Sequence, residues 1–445
     1  MKSININTVI EEAKFNRFHG LVLFWVTFII VFDGYDLVVY GSVAPVLMEE
    51  WALDPIQAGS LASYALFGIM LGALFFGPLA DKIGRKNVIM FCVFLFSLCT
   101  LLVGFANTTT QFGILRFLAG LGFGGVMPNC VSLITEYAPK KRRSSLVTIM
   151  FSGYCLGGMI SAGLGIVLIP RLGWESVFFV ATIPLVLLPF IFKYLPESIA
   201  YLLAKGKTEQ VGYLLSRVNP SYIPQQSDQY ELVLPLKSGN TVAQLFHNNR
   251  GLATFMLWMS FIMCLLMTYG LNTWLPKIMQ TAGYETGSSI MFLLVLNFGA
   301  IFGAVFGGWA ADRWGPRKVL IVFFSAAAIS LTLLGFKFNM FVLYFLVATA
   351  GATTTGTSII ANAFASQFYP IQIRSTGVGW ASGVGRVGAI FGPIMGGYLL
   401  SLNLPTQQYF LAYAIPGIIG AITIGFVKQR KGSNQVIDKD DMNIA

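Results

Sequence analysis

Charged residues are scarce in this chain. Only 11% of its 445 residues are Asp, Glu, Lys or Arg, whereas a soluble domain has about a quarter. Histidine occurs twice and cysteine five times, and the cysteines show no metal-ligand spacing and no pairing between loops. The sequence therefore predicts no metal site, no cofactor and no disulfide framework. It also lacks a nucleophile or cofactor motif at a usable spacing, which argues against a membrane enzyme.

Apolar sequence fills most of the chain, and 56% of the residues are hydrophobic. Runs of about 20 apolar residues recur, each long enough to cross a bilayer as a helix. The first run is not a cleaved signal peptide, because it is too long and lacks a small-residue cleavage site. The prediction is an all-α membrane protein with about twelve transmembrane helices, at roughly 20–45, 56–80, 87–106, 110–135, 144–169, 174–195, 250–275, 287–311, 316–338, 340–368, 375–402 and 405–428.

The net charge is +10, and the basic residues lie mostly on one side of the predicted membrane. This distribution indicates a bilayer, and not nucleic acid, as the partner. If alternate loops and both tails are assigned to one side, that side holds nearly all Lys and Arg residues. The opposite side holds only Arg171, Lys277 and Lys337. This is the positive-inside bias. It predicts a multi-pass membrane protein with both termini in the cytoplasm, and we expect a monomer.

The chain divides into two halves that share an internal repeat. The predicted units are a six-helix bundle at 1–195, a cytoplasmic linker at 196–249, a second six-helix bundle at 250–428 and a cytoplasmic tail at 429–445. Within the linker, "TEQVGYLLSRV" predicts a short helix along the membrane surface. "GPLADKIGRK" after the second span and "GWAADRWGPRK" after the eighth have the same Gly–Asp and Asp–Gly spacing. Repeated six-helix halves are typical of secondary transporters.

The repeated loop predicts a gate between helices. Glycine is expected to let two helices approach and to turn the chain, while the acidic and basic side chains form a charge latch at a helix end. The alternative is a basic loop produced by the positive-inside bias alone, but two copies in register argue against it. The gating-loop residues are Gly77, Asp81, Gly84 and Arg85 in the first copy, and Asp312 and Arg313 in the second.

"GPLADKIGRK", "RFLAGLGFGG" at 116–125 and "LPES" at 195–198 make the whole chain resemble the major facilitator superfamily. That resemblance implies two six-helix bundles around a central cavity that opens alternately to the two sides. Glycines repeated every four residues agree with close helix packing, as at Gly299, Gly303 and Gly307.

Four ionisable residues lie inside predicted spans: Asp33, Asp36, Arg116 and Arg386. Each costs about 2.5–3.5 kcal/mol at the centre of a helix, so each needs a partner or a water-filled cavity. Asp33 and Asp36 share a helix face, and two close carboxylates resist carrying charge together, so one is expected to hold a proton. They are predicted proton-coupling residues; the alternative is that both are permanent salt-bridge partners of the arginines.

Arg386 offers a planar fork that can grip a carboxylate with two hydrogen bonds, although pairing with an aspartate is the alternative. Arg116 lies near the outer end of its span, and a structural role competes there with a role in transport. Aromatic side chains that could contact a ring and polar groups that could line the cavity complete the predicted substrate site. Its residues are Arg386, Tyr35, Asn129, Asn272, Trp274 and Trp380, with Tyr64, Asn297 and Asn362 as further candidates.

"DGYD", "MPNCVSLITEYAPKKRRS", "YGLNTWLP" and "RSTGVGWASGVGRVG" resemble the aromatic acid:proton symporters of that superfamily, and the chain looks most similar to benzoate and 4-hydroxybenzoate transporters. The resemblance implies that Asp33, Asp36, Arg116 and Arg386 take part in transport. The expected function is proton-coupled import of aromatic carboxylic acids across a bacterial inner membrane. The paired aspartates make two protons per anion possible, and two are favoured because electroneutral uptake would leave the membrane potential unused. Ring-free acids such as muconate, or a proton-driven exporter of the same fold, stay open. In the second loop copy, Pro316 follows the glycine and predicts a weaker latch.

Overall fold

The structure is a computed structural model that describes residues 3–225, 228–231, 242–247, 250–370 and 373–427. The predicted tail at 429–445 and much of the polar part of the linker lie outside these residues. Within the described chain, twelve helical segments are long and apolar enough to cross a membrane. They are α2 (Arg17–Glu50), α3 (Pro55–Ile83), α4 (Arg85–Val103), α5 (Thr109–Tyr137), α6 (Arg143–Leu172), α7 (Glu175–Phe179) with α8 (Thr182–Tyr194), α11 (Gly251–Thr281), α12 (Thr286–Trp314), α13 (Pro316–Leu334), α14 (Met340–Phe368), α15 (Arg374–Ser401) and α16 (Thr406–Phe426).

The short elements are β1 (Ser3–Asn5), α1 (Ile6–Glu11), α9 (Ile199–Ala204), α10 (Thr208–Val218) and β2 (Gln229–Glu231), with 3-10 turns at Lys140–Arg142 and Ala243–Leu245. β1 pairs in parallel with β2, so the N-terminal segment is tied to the linker. α10 confirms the helix predicted from "TEQVGYLLSRV", and its apolar face is buried against the first bundle. Its position along a membrane surface stays a prediction.

Local sequence signals explain where the helices begin and end. Asp54 caps α3 in a capping box, and Pro55 occupies the first helical position, where a missing N–H is harmless. Gly84 and Gly315 separate α3 from α4 and α12 from α13, with φ of 99° and 87°. Such backbone angles favour glycine, so both copies of the repeated loop turn the chain through glycine as predicted.

The two halves pack by the same scheme. In the first bundle α2 packs along α6 and α3 along α5; in the second, α11 packs along α15 and α12 along α14. Glycines allow backbone contact within these pairs: a Cβ at Gly157 would overlap the carbonyl of Val31, and one at Gly388 the carbonyl of Ile262. The repeat seen in the sequence is therefore a repeat of helix pairs.

The bundles meet at one end of the molecule. We call the end with the loops near 84, 140 and 315 the basic end, and the opposite end the far end. Toward the far end, the Ser63 hydroxyl of α3 donates a hydrogen bond of 2.8 Å to the Ile390 carbonyl of α15. A Cβ at Gly59 would lie 2.6 Å from the Pro393 carbonyl.

Toward the basic end, by contrast, a Cβ at Gly379 or Gly383 of α15 would meet nothing within 4 Å among the described atoms. The bundles thus touch at the far end and have space beside α15 at the basic end. The central helices are arranged as in a transporter whose far end is shut.

Candidate functional site

Asp36 and Arg116 form a buried ion pair between α2 and α5. The Nη1 atom of Arg116 lies 2.5 Å from Oδ2 of Asp36, and its Nη2 atom donates to the Asp36 backbone carbonyl at 3.2 Å. The Thr100 hydroxyl donates to Oδ1 of Asp36 at 2.8 Å. Both charged side chains are almost fully buried. For this pair, the structure adopts the salt-bridge alternative, and each charge offsets the cost of burying the other.

Asp33 lies one helical turn from Asp36, but its carboxylate has different surroundings. Its side chain is buried, with 3% exposure, yet no hydrogen bond or ion pair to its carboxylate occurs within the described chain. The charged groups that act on it through space are Arg386 and Asp36, and Asp33 in turn acts on the titratable side chains of Cys130 and Tyr154. A buried carboxylate without a partner favours its neutral form, so Asp33 is the better candidate for binding a transported proton.

Arg386 projects from the middle of α15 and is only partly buried. In the part of the chain that the structure describes, no carboxylate lies within 4.0 Å of its guanidinium. Its Nη1 atom donates a long hydrogen bond of 3.4 Å to the Tyr269 hydroxyl of α11. Tyr154 of α6 lies near Tyr269 and Asp33 and interacts electrostatically with both. Asp33, Tyr154, Tyr269 and Arg386, which we call the polar cluster, join the two bundles at mid-membrane.

The local backbone brings α6 at Tyr154 against the turn of α2 that carries Asp33. Gly34 follows Asp33, and a Cβ there would overlap the carbonyl of Tyr154. The two helices therefore touch at this level. Sequence reasoning had missed Tyr154, although it lies between Gly153 and Gly157, which mark a close-packed helix face. Tyr269 was present in the motif "YGLNTWLP", but no spacing rule singled it out.

The predicted ring contacts are not brought to the polar cluster. Tyr35 is buried and donates to the Val177 carbonyl at 2.7 Å, and Trp274 is buried and donates to the Pro393 carbonyl at 2.7 Å. These two side chains hold helices together in this conformation, and their role as substrate contacts stays a prediction. Trp380 is 45% exposed near the basic end, where it stacks on Trp258 with ring centroids 5.9 Å apart.

The two asparagines predicted to bind substrate lie in different surroundings. The amide of Asn129 donates to the Gly125 carbonyl at 2.7 Å in its own helix, which leaves its second N–H and its carbonyl oxygen for other partners. Asn272 accepts a hydrogen bond of 3.1 Å from Asn297, and a Cβ at Gly41 of the first bundle would overlap the Asn272 carbonyl. Asn272 is thus part of the contact between bundles on the far-end side.

The charge latch of the first loop copy uses acids other than the predicted one. The Nη1 atom of Arg85 lies 2.6 Å from Oε2 of Glu136 at the end of α5. Glu197 accepts hydrogen bonds from the backbone N–H groups of Lys86 and Ser198 and lies against Gly84. Asp81 is exposed and has no hydrogen bond or ion pair within the described residues. In this conformation the latch acid is Glu136, because it and not Asp81 lies within reach of Arg85.

The remaining residues of these loops make few contacts. No described atom lies within 4 Å of a Cβ built at Gly77 or Gly308, so neither glycine mediates a close approach of helices here. In the second copy, Asp312 is exposed and Arg313 covers the ring of Trp309 at 5.6 Å. With Pro316 as the first residue of α13, no carboxylate latch forms among the described residues of this copy, in line with the predicted weaker latch.

The comparison with protein families decides the identity of this fold and site. The family described as Major Facilitator Superfamily matches residues 26–305 and 288–440. The chain belongs to the Major Facilitator Superfamily. Members of this superfamily are transporters, which confirms the expectation of a transporter and not an enzyme.

Curated relatives refine the branch. The chain is similar to the benzoate transport protein of Acinetobacter baylyi, with 48% identity over 97% of this chain and 94% of the relative. It is also similar to the gentisate transporter of Corynebacterium glutamicum, with 36% identity over 95% and 90%, and to the 4-hydroxybenzoate transporter PcaK of A. baylyi, with 36% identity over 96% and 94%. Within the superfamily, the chain thus belongs to the aromatic acid transporter family.

Solved structures support the fold at low sequence identity. The partially occluded, inward-open xylose transporter XylE of Escherichia coli matches with a TM-score of 0.74 and 16% identity, over 94% of this chain and all of that chain. A bacterial homologue of the human lysosomal transporter Spinster, in an inward-facing and unoccupied conformation, matches with a TM-score of 0.67 and 18% identity, over 93% and 95%. The predicted fold class is confirmed.

Proposed function

We propose that this protein imports aromatic carboxylic acids of the benzoate type together with protons, by alternating access. The observation that carries the proposal is that only one of the two neighbouring aspartates has an arginine partner. Asp36 is neutralised by Arg116, whereas Asp33 stays unpaired within the described chain and Arg386 keeps its guanidinium away from any carboxylate. The polar cluster thereby offers one group for a proton and one for an anion, and the named substrates of the curated relatives are aromatic acids.

In the proposed cycle, the anion enters from the far end, taken as the periplasmic side, and its carboxylate binds Arg386 through two parallel hydrogen bonds. Asp33 takes a proton from the same side. The bundles then close at the far end and part at the basic end, which is the arrangement seen here, and both ligands leave to the cytoplasm. With this sidedness, we propose that both termini lie in the cytoplasm of a bacterial inner membrane.

Proton coupling has a clear energetic purpose. Moving a monovalent anion into a cell opposes about 2.3 kcal/mol per 100 mV of inside-negative potential. One proton moving with the anion cancels that term, so the pH difference alone drives accumulation. The buried aromatic side chains give no reason to prefer a ring-free acid such as muconate. Muconate is nevertheless included in the test as a competing substrate.

The test is uptake into proteoliposomes under an imposed inward proton gradient. The panel is labelled benzoate, 4-hydroxybenzoate, gentisate and muconate, with Arg386→Lys as the matched variant because it keeps the charge and removes the planar fork. We expect accumulation of benzoate by the wild type and at least about a tenfold loss in Arg386→Lys. Net efflux under the same gradient would indicate the exporter, and accumulation of muconate alone would refute an aromatic substrate.

A further inference from the structure

The Tyr269 hydroxyl lies next to Arg386, the proposed anion-binding residue. The Nη1 atom of Arg386 donates to it at 3.4 Å. The backbone holds the two helices that carry this pair side by side, because a Cβ at Gly388 of α15 would overlap the Ile262 carbonyl of α11. The guanidinium and the phenol are therefore neighbours by virtue of helix packing within the second bundle.

Open space adjoins this pair on the side of the basic end. Residues 379, 383, 386, 390 and 393 recur every three or four positions and share one face of α15. At Ile390 and Pro393 that face touches α3, but a Cβ at Gly379 or Gly383 would meet no described atom within 4 Å. Arg386 lies between the closed and the open part of the face and is only partly buried. A ligand can thus approach its guanidinium from between the bundles.

The chemistry of the pair leaves one further donor for that ligand. A guanidinium can only donate, so the Tyr269 oxygen accepts from Arg386 and the Tyr269 proton is left for another acceptor. Tyr154 lies near Tyr269, but a neutral phenol oxygen is a weaker acceptor than a carboxylate. Two donor atoms 3.4 Å apart can both lie about 2.8 Å from one carboxylate oxygen. Their spacing therefore suits a shared anion.

We propose that Tyr269 is a substrate-binding residue, whose hydroxyl donates a third hydrogen bond to the aromatic carboxylate held by Arg386. The proposal rests on the proposed function. A carboxylate offers about four lone-pair sites; the two parallel bonds from Arg386 use two of them, and Tyr269 uses a third. The ring of the acid then extends along the open face of α15 at Gly383, away from the closed far end.

This third hydrogen bond makes the site sensitive to where a ring hydroxyl stands. In 2-hydroxybenzoate, the ring hydroxyl donates to the carboxylate of the same molecule, so one acceptor site is filled before the acid binds. In 4-hydroxybenzoate, the hydroxyl lies across the ring and cannot reach the carboxylate. The Tyr269 donor should therefore contribute more to the binding of benzoate and 4-hydroxybenzoate than to the binding of 2-hydroxybenzoate.

The test measures the Kd of these three acids for the purified protein by calorimetry at about pH 7, where their carboxyl groups are ionised and their phenols are neutral. Tyr269→Phe keeps the ring and removes the donor. We expect it to bind benzoate and 4-hydroxybenzoate about 10- to 100-fold more weakly than the wild type, as for a lost hydrogen bond to a charged group. The loss for 2-hydroxybenzoate should be about fivefold smaller.

The matched control is Tyr413→Phe. The Tyr413 hydroxyl is buried and donates to the Gly392 carbonyl at 3.1 Å within the second bundle, so its removal should leave the affinities for all three acids at their wild-type values. If Tyr269→Phe fails to fold, Tyr269→Met takes its place with the same two expectations, because a flexible apolar side chain fills irregular space and also lacks the donor.

The outcomes separate the role of Tyr269 from the function that it serves. Wild-type protein that binds none of the three acids overturns the proposed function, and the role of Tyr269 with it. Wild-type binding together with unchanged affinities in Tyr269→Phe overturns the role of Tyr269 alone. An equal loss for 2-hydroxybenzoate and 4-hydroxybenzoate also overturns it, because a hydroxyl that only supports the packing changes the affinity for every acid by the same factor.

Discussion

At the scale of single residues, Asp33 and Asp36 show how two identical side chains on one helix face acquire different roles. Asp36 is held by Arg116 and Thr100, while Asp33 has no such partner in the described chain. An ion pair buried this deeply depends on both members, because removing one leaves the other charge unpaired in an apolar region. The first aspartate is therefore available for function and the second supports the fold.

Neutralising each aspartate should give opposite results. Asp36→Asn leaves the Arg116 guanidinium without its counter-charge and should destabilise the protein by about 3–5 kcal/mol. Adding Arg116→Gln to that variant should restore most of the loss. Asp33→Asn removes no partner and should keep the thermal stability of the wild type while proton-driven accumulation disappears. Thermal unfolding of the detergent-solubilised protein, alongside uptake, checks both; equal unfolding temperatures for the two single variants would contradict this division.

Sequence reasoning found the four intramembrane charges, because a charge among apolar residues is visible without a structure. It did not tell which arginine pairs with which aspartate, since α2 faces α5 and α15 at nearly the same level and only the packed backbone selects a partner. It also missed Tyr154 and Thr100, whose hydroxyls are inconspicuous in apolar runs. Tyr35 and Trp274 were assigned to a ligand because an aromatic side chain in a span looks the same whether it faces a cavity or packs between helices.

At the scale of helices, contact between α3 and α15 closes the far end. The spans and the repeated loops were predictable, because length, hydropathy and the two loop glycines are local signals. The glycines that join the bundles were not, since Gly59 and Gly383 are equivalent in sequence terms. Only the structure shows that Gly59 lies against the Pro393 carbonyl and that Gly383 has open space around it.

Gly59→Val should therefore hold the far end open. Overpacking of this kind costs about 1–3 kcal/mol and shifts a two-state equilibrium by roughly 5- to 150-fold. The measurement is labelling of Ser63→Cys by a membrane-impermeant thiol reagent added from the far-end side, since all five native cysteines are buried. Labelling should rise in the Gly59→Val background and should not rise in the matched Gly383→Val background. Equal labelling in both would show that this glycine contact does not close the gate.

At the scale of the whole molecule, the charges inside the membrane determine how much charge one cycle carries. Asp36 and Arg116 cancel in every state in which they stay paired. In the proposed cycle, Asp33 has released its proton in the empty form, where its charge balances Arg386; in the loaded form, the substrate anion balances Arg386 while Asp33 is protonated. Both forms that must reorient across the membrane are then neutral overall. The pairing of Asp36 with Arg116 engages one of the two carboxylates that made two protons per anion possible, and it favours one proton per anion.

Transport should therefore respond to a pH difference and ignore a membrane potential. In proteoliposomes with equal pH on both sides and an inside-negative potassium diffusion potential of about 100 mV, we expect no accumulation of benzoate. If two protons moved with each anion, the same potential would supply about 2.3 kcal/mol, enough for roughly fiftyfold accumulation. One unit of inward pH difference should give about tenfold accumulation for one proton and about a hundredfold for two. Arg386→Lys liposomes serve as the control for leakage of the protonated acid through the lipid, and accumulation driven by the potential alone would refute the one-proton cycle.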